Sequence, residues 1–217
     1  MALRRGFKTE ANEHARELRA ELGLAPHAPL SSRALAAHLG IPLMRLSELA
    51  SVEPAAVRYL TRSAPDVFSA ATLFAGYRRL IVYNDAHHPR RQAADLAHEI
   101  SHGLLGHPPS PILDEFGCRQ FNRVHEEEAN WLGPALLISE EAALYIVEQR
   151  LTVDAAVSIY TVSRDLITMR IGVTGAQRRI QRRSAQAAVV DECSPRATPH
   201  GSAQRRTRWR GCGVSSQ

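Results

Sequence analysis

The chain has 217 residues, 44% of them hydrophobic and 23% charged, which suits one folded domain with appendages. It has no run of about 18 apolar residues, so no membrane span is expected, and no apolar signal-peptide core follows its basic start. Its three cysteines, Cys118, Cys193 and Cys212, form no Cys-x-x-Cys pair. This argues against a disulfide framework and against a cysteine zinc site. Together these features predict a cytoplasmic protein.

The positive charge lies almost entirely at the C-terminal end. Residues 176–217 hold nine arginines and two acidic residues, a net charge of +7, so residues 1–175 carry −2 of the total of +5. An arginine-rich tail of this kind can contact nucleic acid nonspecifically and with strong salt dependence. A solvated extension without a fixed partner is the simpler interpretation. Nucleic-acid binding by the folded part is not indicated by its charge.

The first half of the chain predicts two helices followed by strands. Apolar spacing indicates a helix over residues 9–22, and Ser31 or Ser32 can cap a second helix that ends at residue 39. Residues 41–46 are a candidate strand. Residues 71–74 and 80–83 are apolar runs around a glycine-containing turn, which predicts a hairpin.

The second half is predicted to be helical. The predicted helices cover residues 91–105, a segment that begins near Asn122, and residues 140–149, 153–159 and 163–171. From Gln181 onward the chain is rich in Arg, Ser, Ala and Gly with little apolar periodicity, which predicts disorder.

One predicted helix carries the pattern His-Glu-x-x-His, as His98, Glu99 and His102. Successive helical residues turn by about 100°, so residues four apart lie on one face, and both imidazoles can reach one metal ion. Glu99 lies beside the pair, where it can contact a water without binding the metal. The opposite face is apolar, with Leu96, Ile100 and Leu104. This spacing predicts a zinc site with Glu99 as general base.

A catalytic zinc ion takes three protein ligands, and the third comes from elsewhere in the chain. The extended pattern with a third histidine would need Gly at 105 and His at 108, but the chain has Leu105 and Pro108. His107 lies one residue early and is interpreted as a surface histidine. The alternative is a glutamate from a later helix.

Helical geometry separates three consecutive glutamates in that later helix. Glu126 falls on a small or apolar stripe, where a carboxylate needs a cation or a hydrogen-bond partner. Glu127 is predicted on a flank and Glu128 on the opposite, solvated side. Asn130 lies one turn after Glu126 and can accept a hydrogen bond from the outer nitrogen of a ligand histidine. We therefore predict His98, His102 and Glu126 as ligands, with Asn130 as an orienting neighbour.

These residues predict peptide-bond hydrolysis. A zinc ion acidifies a water and polarises the scissile carbonyl, while Glu99 takes the proton from the water and delivers it to the leaving amine. A further donor usually stabilises the oxyanion. His125, Arg123 and Tyr83 are the candidates, and the sequence does not choose among them. Manganese can replace zinc in such a His/His/Glu set.

At these residues the chain resembles the ImmA/IrrE family of metallo-endopeptidases. Residues 91–103 resemble that family's zinc helix, and residues 126–138 resemble the helix that supplies its third ligand; weaker similarity extends over roughly residues 5–180. Two departures stand out, because the family usually has Ala-Ala at Gly133-Pro134 and a proline at Ser139. Pro134 can kink the helix just beyond Asn130.

The resemblance implies the α+β class, with a small zincin-like peptidase core in residues 1–145, followed by a helical, helix-turn-helix-like extension in residues 146–180 and an arginine-rich disordered tail in residues 181–217. It also implies the substrate class, since members of the family act on helix-turn-helix transcriptional repressors in response to DNA damage or mobile-element signals. The implied partner is such a repressor.

Two other functions remain open. Residues 153–171 have helix-turn-helix spacing, so Arg164 and Arg170 are candidates for phosphate contacts, although the favoured interpretation is that these helices only pack on the core. Alternatively, the protein is a non-catalytic regulatory module that holds a metal and inactivates a repressor by binding it. A Glu99→Gln variant separates the last possibility from hydrolysis, because it keeps the metal ligands and removes the base.

Overall fold

The computed structural model describes residues 3–76, 78–108 and 122–192, which leaves all three cysteines outside the described residues. The chain divides into two units, Met1–Arg182 and Arg183–Gln217, and the packing below is that of the first unit. The helices before the metal residues are α1 (Phe7–Glu21), α2 (Ser32–His38) and α3 (Pro54–Arg58). The later helices are α4 (Pro89–Leu104), α5 (Arg123–Leu137), α6 (Glu140–Glu148), α7 (Val153–Tyr160), α8 (Arg164–Thr174) and α9 (Ala176–Glu192).

Three strands form one small sheet, so the predicted α+β class is confirmed. The strands are β1 (Leu43–Arg45), β2 (Ala70–Ala75) and β3 (Arg78–Tyr83), in the order β1-β3-β2. β1 pairs in parallel with β3, and β2 pairs antiparallel with it as the predicted hairpin. In this order β3 is the central strand and β2 lies at an edge of the sheet. The last residues of β3 are buried, as expected of an apolar run in a central strand.

Helix α4 is fixed at both ends by its sequence. Pro89 occupies the first turn, where its missing N–H costs nothing, and the ring of His88 accepts a hydrogen bond from the backbone N–H of Arg90 at 3.2 Å. Gly106 follows with φ of 63°, a left-handed conformation that glycine adopts without strain. The helix thus begins two residues earlier than predicted and ends near the predicted residue.

Two apolar clusters enclose the pair of helices α4 and α5. One cluster joins these helices to α1 and β3 through Phe7, Ala15, Ile81, Leu96, Ile100, Leu132 and Leu136, all fully or almost fully buried. The other lies among α6, α7 and α8 and also includes Ala97 of α4 and Leu137 of α5. Both metal-site helices are therefore packed from two sides, which restrains their separation and rotation.

The expected kink at Pro134 does not end the helix. α5 continues through Pro134 to Leu137, although proline removes the hydrogen bond to the carbonyl of Asn130. The turn that carries Glu126 lies about two turns earlier and is capped by Asn122, whose side chain accepts from the N–H groups of Val124 and His125.

The C-terminal part differs from the sequence expectations at two points. Disorder is predicted from Gln181, but residues 181–192 belong to α9, because their Ala, Gln and Arg side chains favour helix without needing a core; the rest of the predicted segment lies outside the described residues. Arg170 was a candidate for phosphate contact, but its guanidinium is buried and donates to the carbonyl of Ile138 at 2.8 Å, which agrees with the favoured interpretation that these helices pack on the core. Arg164 pairs with Asp154. A helix-turn-helix function for α7 and α8 is therefore not confirmed.

None of the helices in residues 3–76, 78–108 and 122–192 combines the length and apolar content needed to span a bilayer.

Candidate metal centre

Helices α4 and α5 bring the three predicted ligands together. The Nε2 atoms of His98 and His102 lie 3.1 Å apart. Glu126 Oε2 lies 3.3 Å from His98 Nε2, and its Oε1 lies 3.6 Å from His102 Nε2. In tetrahedral coordination with bonds of about 2.0–2.1 Å, neighbouring ligand atoms are separated by about 3.3 Å. The three side chains therefore fit one zinc ion.

The donor set also fits a catalytic rather than a structural metal. Among the described residues, His98, His102 and Glu126 are the group whose ligand atoms all lie within 4.8 Å of one another. Two imidazoles and one carboxylate leave a position for water on a tetrahedral ion. All three side chains are partly exposed, and His98 and Glu126 line a cleft through which a substrate can approach. The same donors also suit manganese, and the geometry does not select between the two metals.

The surroundings shift the pKa values of the two histidines in opposite directions. Burial lowers the pKa of His98, but the hydrogen bond to Glu126 and the charges of Glu99 and Glu126 outweigh it, so the net pKa is raised. Burial, followed by the charge of His98, lowers the pKa of His102 to about 4. A metal ion binds through Nε2 of each ring only where that nitrogen carries no proton.

The close approach of α4 and α5 depends on Gly133. A Cβ atom at this position would lie 3.2 Å from the backbone nitrogen of His98 and 3.3 Å from the carbonyl carbon of Ala97. These contacts are tight and involve the backbone, which cannot move aside as a side chain can. Gly133, one of the departures from the family pattern, thus lets α5 pack directly against the turn that carries His98.

The predicted base lies in the cleft beside the ligands. The cleft has a volume of about 400 Å³, and its lining includes His98, Glu99, Glu126 and Asn130. Thr72 of β2 donates a hydrogen bond of 2.6 Å to Glu99 Oε2. This contact ties the base to the edge strand and leaves Oε1 for another partner. Thr72 was not predicted as part of the site, because the alternation of residues in a strand does not indicate how close the strand lies to a later helix.

Asn130 lines the cleft and is exposed to solvent. Among the described residues, its side chain makes no hydrogen bond to His98 or His102. The orienting function of Asn130 therefore stays a prediction.

All three oxyanion candidates make other contacts. Tyr83 is buried in the core, and its hydroxyl accepts a hydrogen bond from Arg33 at 2.8 Å. Arg123 is largely exposed and pairs with Glu127 at 3.1 Å. The ring of His125 stacks on another histidine. The structure does not choose among the three, and the oxyanion donor stays a prediction.

Two side chains interpreted as solvated are in fact buried. His107 and Glu128 have side-chain exposures of 6% and 8%, and His107 Nε2 lies 3.1 Å from Glu128 Oε2. The interpretation was wrong because it gave α5 one buried face, whereas α5 packs against both α4 and the N-terminal region. Arg4, which precedes α1, covers Glu128 with a 2.7 Å ion pair. No local sequence signal indicates this contact.

Comparison with known proteins agrees with this geometry. The family model Peptidase M78, described as an IrrE N-terminal-like domain, matches residues 36–171, which include both metal-site helices. No curated protein matches the chain.

Proposed function

The chain belongs to the Peptidase M78 family, and on that premise we propose that it is a zinc-dependent endopeptidase whose substrate is a helix-turn-helix transcriptional repressor. The proposal rests on one observation: the possible ligand atoms of His98, His102 and Glu126 lie within 4.8 Å of one another, and Glu99 lines the same cleft. Three ligands with an adjacent carboxylate are the parts that metal-assisted hydrolysis requires.

The chemistry follows from the position of Glu99. Zinc held by the three ligands supplies a Lewis acid that polarises the scissile carbonyl and acidifies a water. Thr72 holds Oε2 of Glu99, which leaves Oε1 to accept the proton from that water as its oxygen bonds to the carbonyl carbon. Glu99 then gives this proton to the amine nitrogen as the C–N bond breaks. The reaction consumes one water and returns Glu99 as a carboxylate.

The edge strand β2 offers a way to hold the substrate. In the described part of the chain β2 pairs with β3 alone, so its other edge has backbone groups available for an added strand. Because Thr72 lies in this strand and contacts Glu99, a peptide extended along β2 passes close to the base. An extended peptide exposes its carbonyls in sequence, which suits cleavage within a chain rather than at its end.

The repressor as substrate is supported by the resemblance of residues 91–103 and 126–138 to the ImmA/IrrE family. Such a repressor must present an extended segment to the cleft, because a carbonyl inside a helix is covered by its own hydrogen bond. A linker between its DNA-binding and regulatory parts meets that requirement. Relief of repression then follows from loss of the link between the two parts.

The test compares zinc-loaded wild type with Glu99→Gln, using the helix-turn-helix repressor encoded nearest to the gene as substrate. We expect the wild type to give two fragments by mass spectrometry. Glu99→Gln should keep its zinc and cleave at least about 100-fold more slowly, because only the base is lost. Glu127→Gln, a change at a neighbouring carboxylate that pairs with Arg123, serves as the control.

The same experiment decides between hydrolysis and binding. If Glu99→Gln releases the repressor from its operator DNA as efficiently as the wild type, cleavage is not the mechanism. The non-catalytic regulatory module is then the better description.

A further inference from the structure

A line of three hydrogen bonds runs from His102 away from the metal centre. His102 Nδ1 lies 2.9 Å from Nδ1 of His107, and His107 Nε2 lies 3.1 Å from Oε2 of Glu128. The other carboxylate oxygen, Oε1, accepts a hydrogen bond of 2.7 Å from Nε of Arg4. The line thus connects α4 and the turn after it to α5 and to the residues that precede α1.

The two ends of this line fix the position of every proton within it. His102 binds metal through Nε2, so its Nδ1 carries the proton and donates to Nδ1 of His107. His107 must then accept at Nδ1 and donate from Nε2 to Glu128. A guanidinium can only donate, so Glu128 accepts from both neighbours as a carboxylate. One arrangement of protons satisfies all three hydrogen bonds, with His107 neutral.

The middle of the line is buried. The side chains of His107 and Glu128 are 6% and 8% exposed, and the ring of His125 stacks on His107 with 4.2 Å between ring centroids. Arg4 is half exposed and also pairs with Glu10 at 2.6 Å. Buried polar groups without a partner are costly, so His107 and Glu128 need each other and their outer neighbours.

We propose that His107 is a positioning residue for the metal centre, held by Glu128 and Arg4, that sets the tautomer and ring orientation of His102. This inference rests on the proposed zinc site, and it states which residues hold the His102 ring in the orientation that binds the metal. α5 then has two functions two residues apart, because Glu126 faces the metal and Glu128 supports the ligand from behind. Partners of a ligand histidine's outer nitrogen typically change metal affinity by about 10- to 100-fold.

The first test is the zinc affinity of three variants, measured by competition with a chromophoric chelator. His107→Phe fills the same space without a hydrogen bond, so we expect zinc affinity to fall about 10- to 100-fold. His107→Asn restores an acceptor for His102 Nδ1, so most of the affinity should return. His27→Phe is the control, since this ring stacks on Tyr145 and takes no part in the line. It should bind zinc as the wild type does.

The second test needs no variant and detects directly which ring nitrogen of each histidine carries the proton. Long-range ¹H–¹⁵N spectra of the zinc-loaded wild type should show His102 protonated at Nδ1 and His107 protonated at Nε2. A His107 protonated at Nδ1 overturns the proposal, even if His107→Phe fails to fold. Equal zinc affinity of His107→Phe and wild type overturns it as well, as does an Asn variant as weak as the Phe variant. A wild type that binds no zinc overturns the proposed function itself.

Discussion

At the scale of single residues, the contact between Thr72 and Glu99 is the one that most directly affects catalysis. A general base must lie within hydrogen-bond reach of the proton that it takes, and the flexible side chain of glutamate does not stay there unaided. Thr72 restrains Oε2 from the strand that borders the cleft, at 2.6 Å. The orientation of Glu99 is therefore set by the sheet as well as by its own helix.

Removal of the Thr72 hydroxyl should slow catalysis without releasing the metal. Thr72→Val keeps the shape and the strand preference of the side chain, so the fold should persist. We expect kcat to fall roughly 10- to 100-fold, because misplacement of a catalytic group costs about this much, while zinc content and KM change little. Thr72→Ser keeps the hydroxyl and should retain most of the activity. Wild-type kcat in Thr72→Val would show that Glu99 needs no anchor.

Site residues could be predicted from the sequence where the geometry of a single helix determines which way each side chain faces. His98 and His102 share a face by their spacing of four, and Glu126 was separated from its neighbours by the apolar stripe around it. His107 and Glu128 could not be predicted, because their burial depends on Arg4, more than a hundred residues away in the chain from Glu128. A helical pattern describes one helix and one buried face, whereas α5 is covered on two.

At the scale of elements, the site depends on the separation of α4 and α5. Gly133 packs against the backbone of Ala97 and His98, so α4 and α5 are closer at this point than a side chain at residue 133 would allow. The ligand from α5 lies about two turns before this contact. A change in helix separation at Gly133 therefore moves Glu126 relative to the histidines.

Addition of one methyl group at Gly133 should disturb the site. Gly133→Ala forces a shift against the backbone of α4, so we expect the free energy of unfolding to fall by about 1–3 kcal/mol and zinc affinity to fall with it. Gly172→Ala is the matched control, because a Cβ there meets nothing within 4 Å. The control should gain up to about 1 kcal/mol through helix propensity. Urea unfolding of both variants checks this, and a Gly133→Ala variant as stable as the control would contradict it.

At the scale of the whole molecule, two buried arginines join the N-terminal and C-terminal helices to the end of α5. Arg19 of α1 donates to the carbonyl of Leu136 at 2.8 Å, and Arg170 of α8 donates to that of Ile138 at 2.8 Å. Burial lowers the pKa of each guanidinium to about 10. They satisfy carbonyls that every helix leaves without partners at its C-terminal end.

The arrangement of the helices was predictable from sequence only in part. Most helix positions follow from apolar spacing and capping residues, whereas the α+β class was implied by the family resemblance. The burial of Arg19 and Arg170 was not predicted, because arginine is rarely buried unless it is paired. The atoms that accept from these two guanidinium groups are backbone carbonyls, and every residue has one, so the sequence does not mark them. The domain division at residues 145 and 180 stays a prediction.

The most direct test of the account is the metal content of the purified protein by mass spectrometry, with Glu126→Ala and Glu127→Ala beside the wild type. Glu127 is the matched control because Glu128, the other neighbouring carboxylate, supports His107. We predict about one zinc per chain in the wild type and in Glu127→Ala, and loss of zinc in Glu126→Ala. A wild type without metal after zinc repletion, or a Glu126→Ala variant that keeps it, would contradict the account.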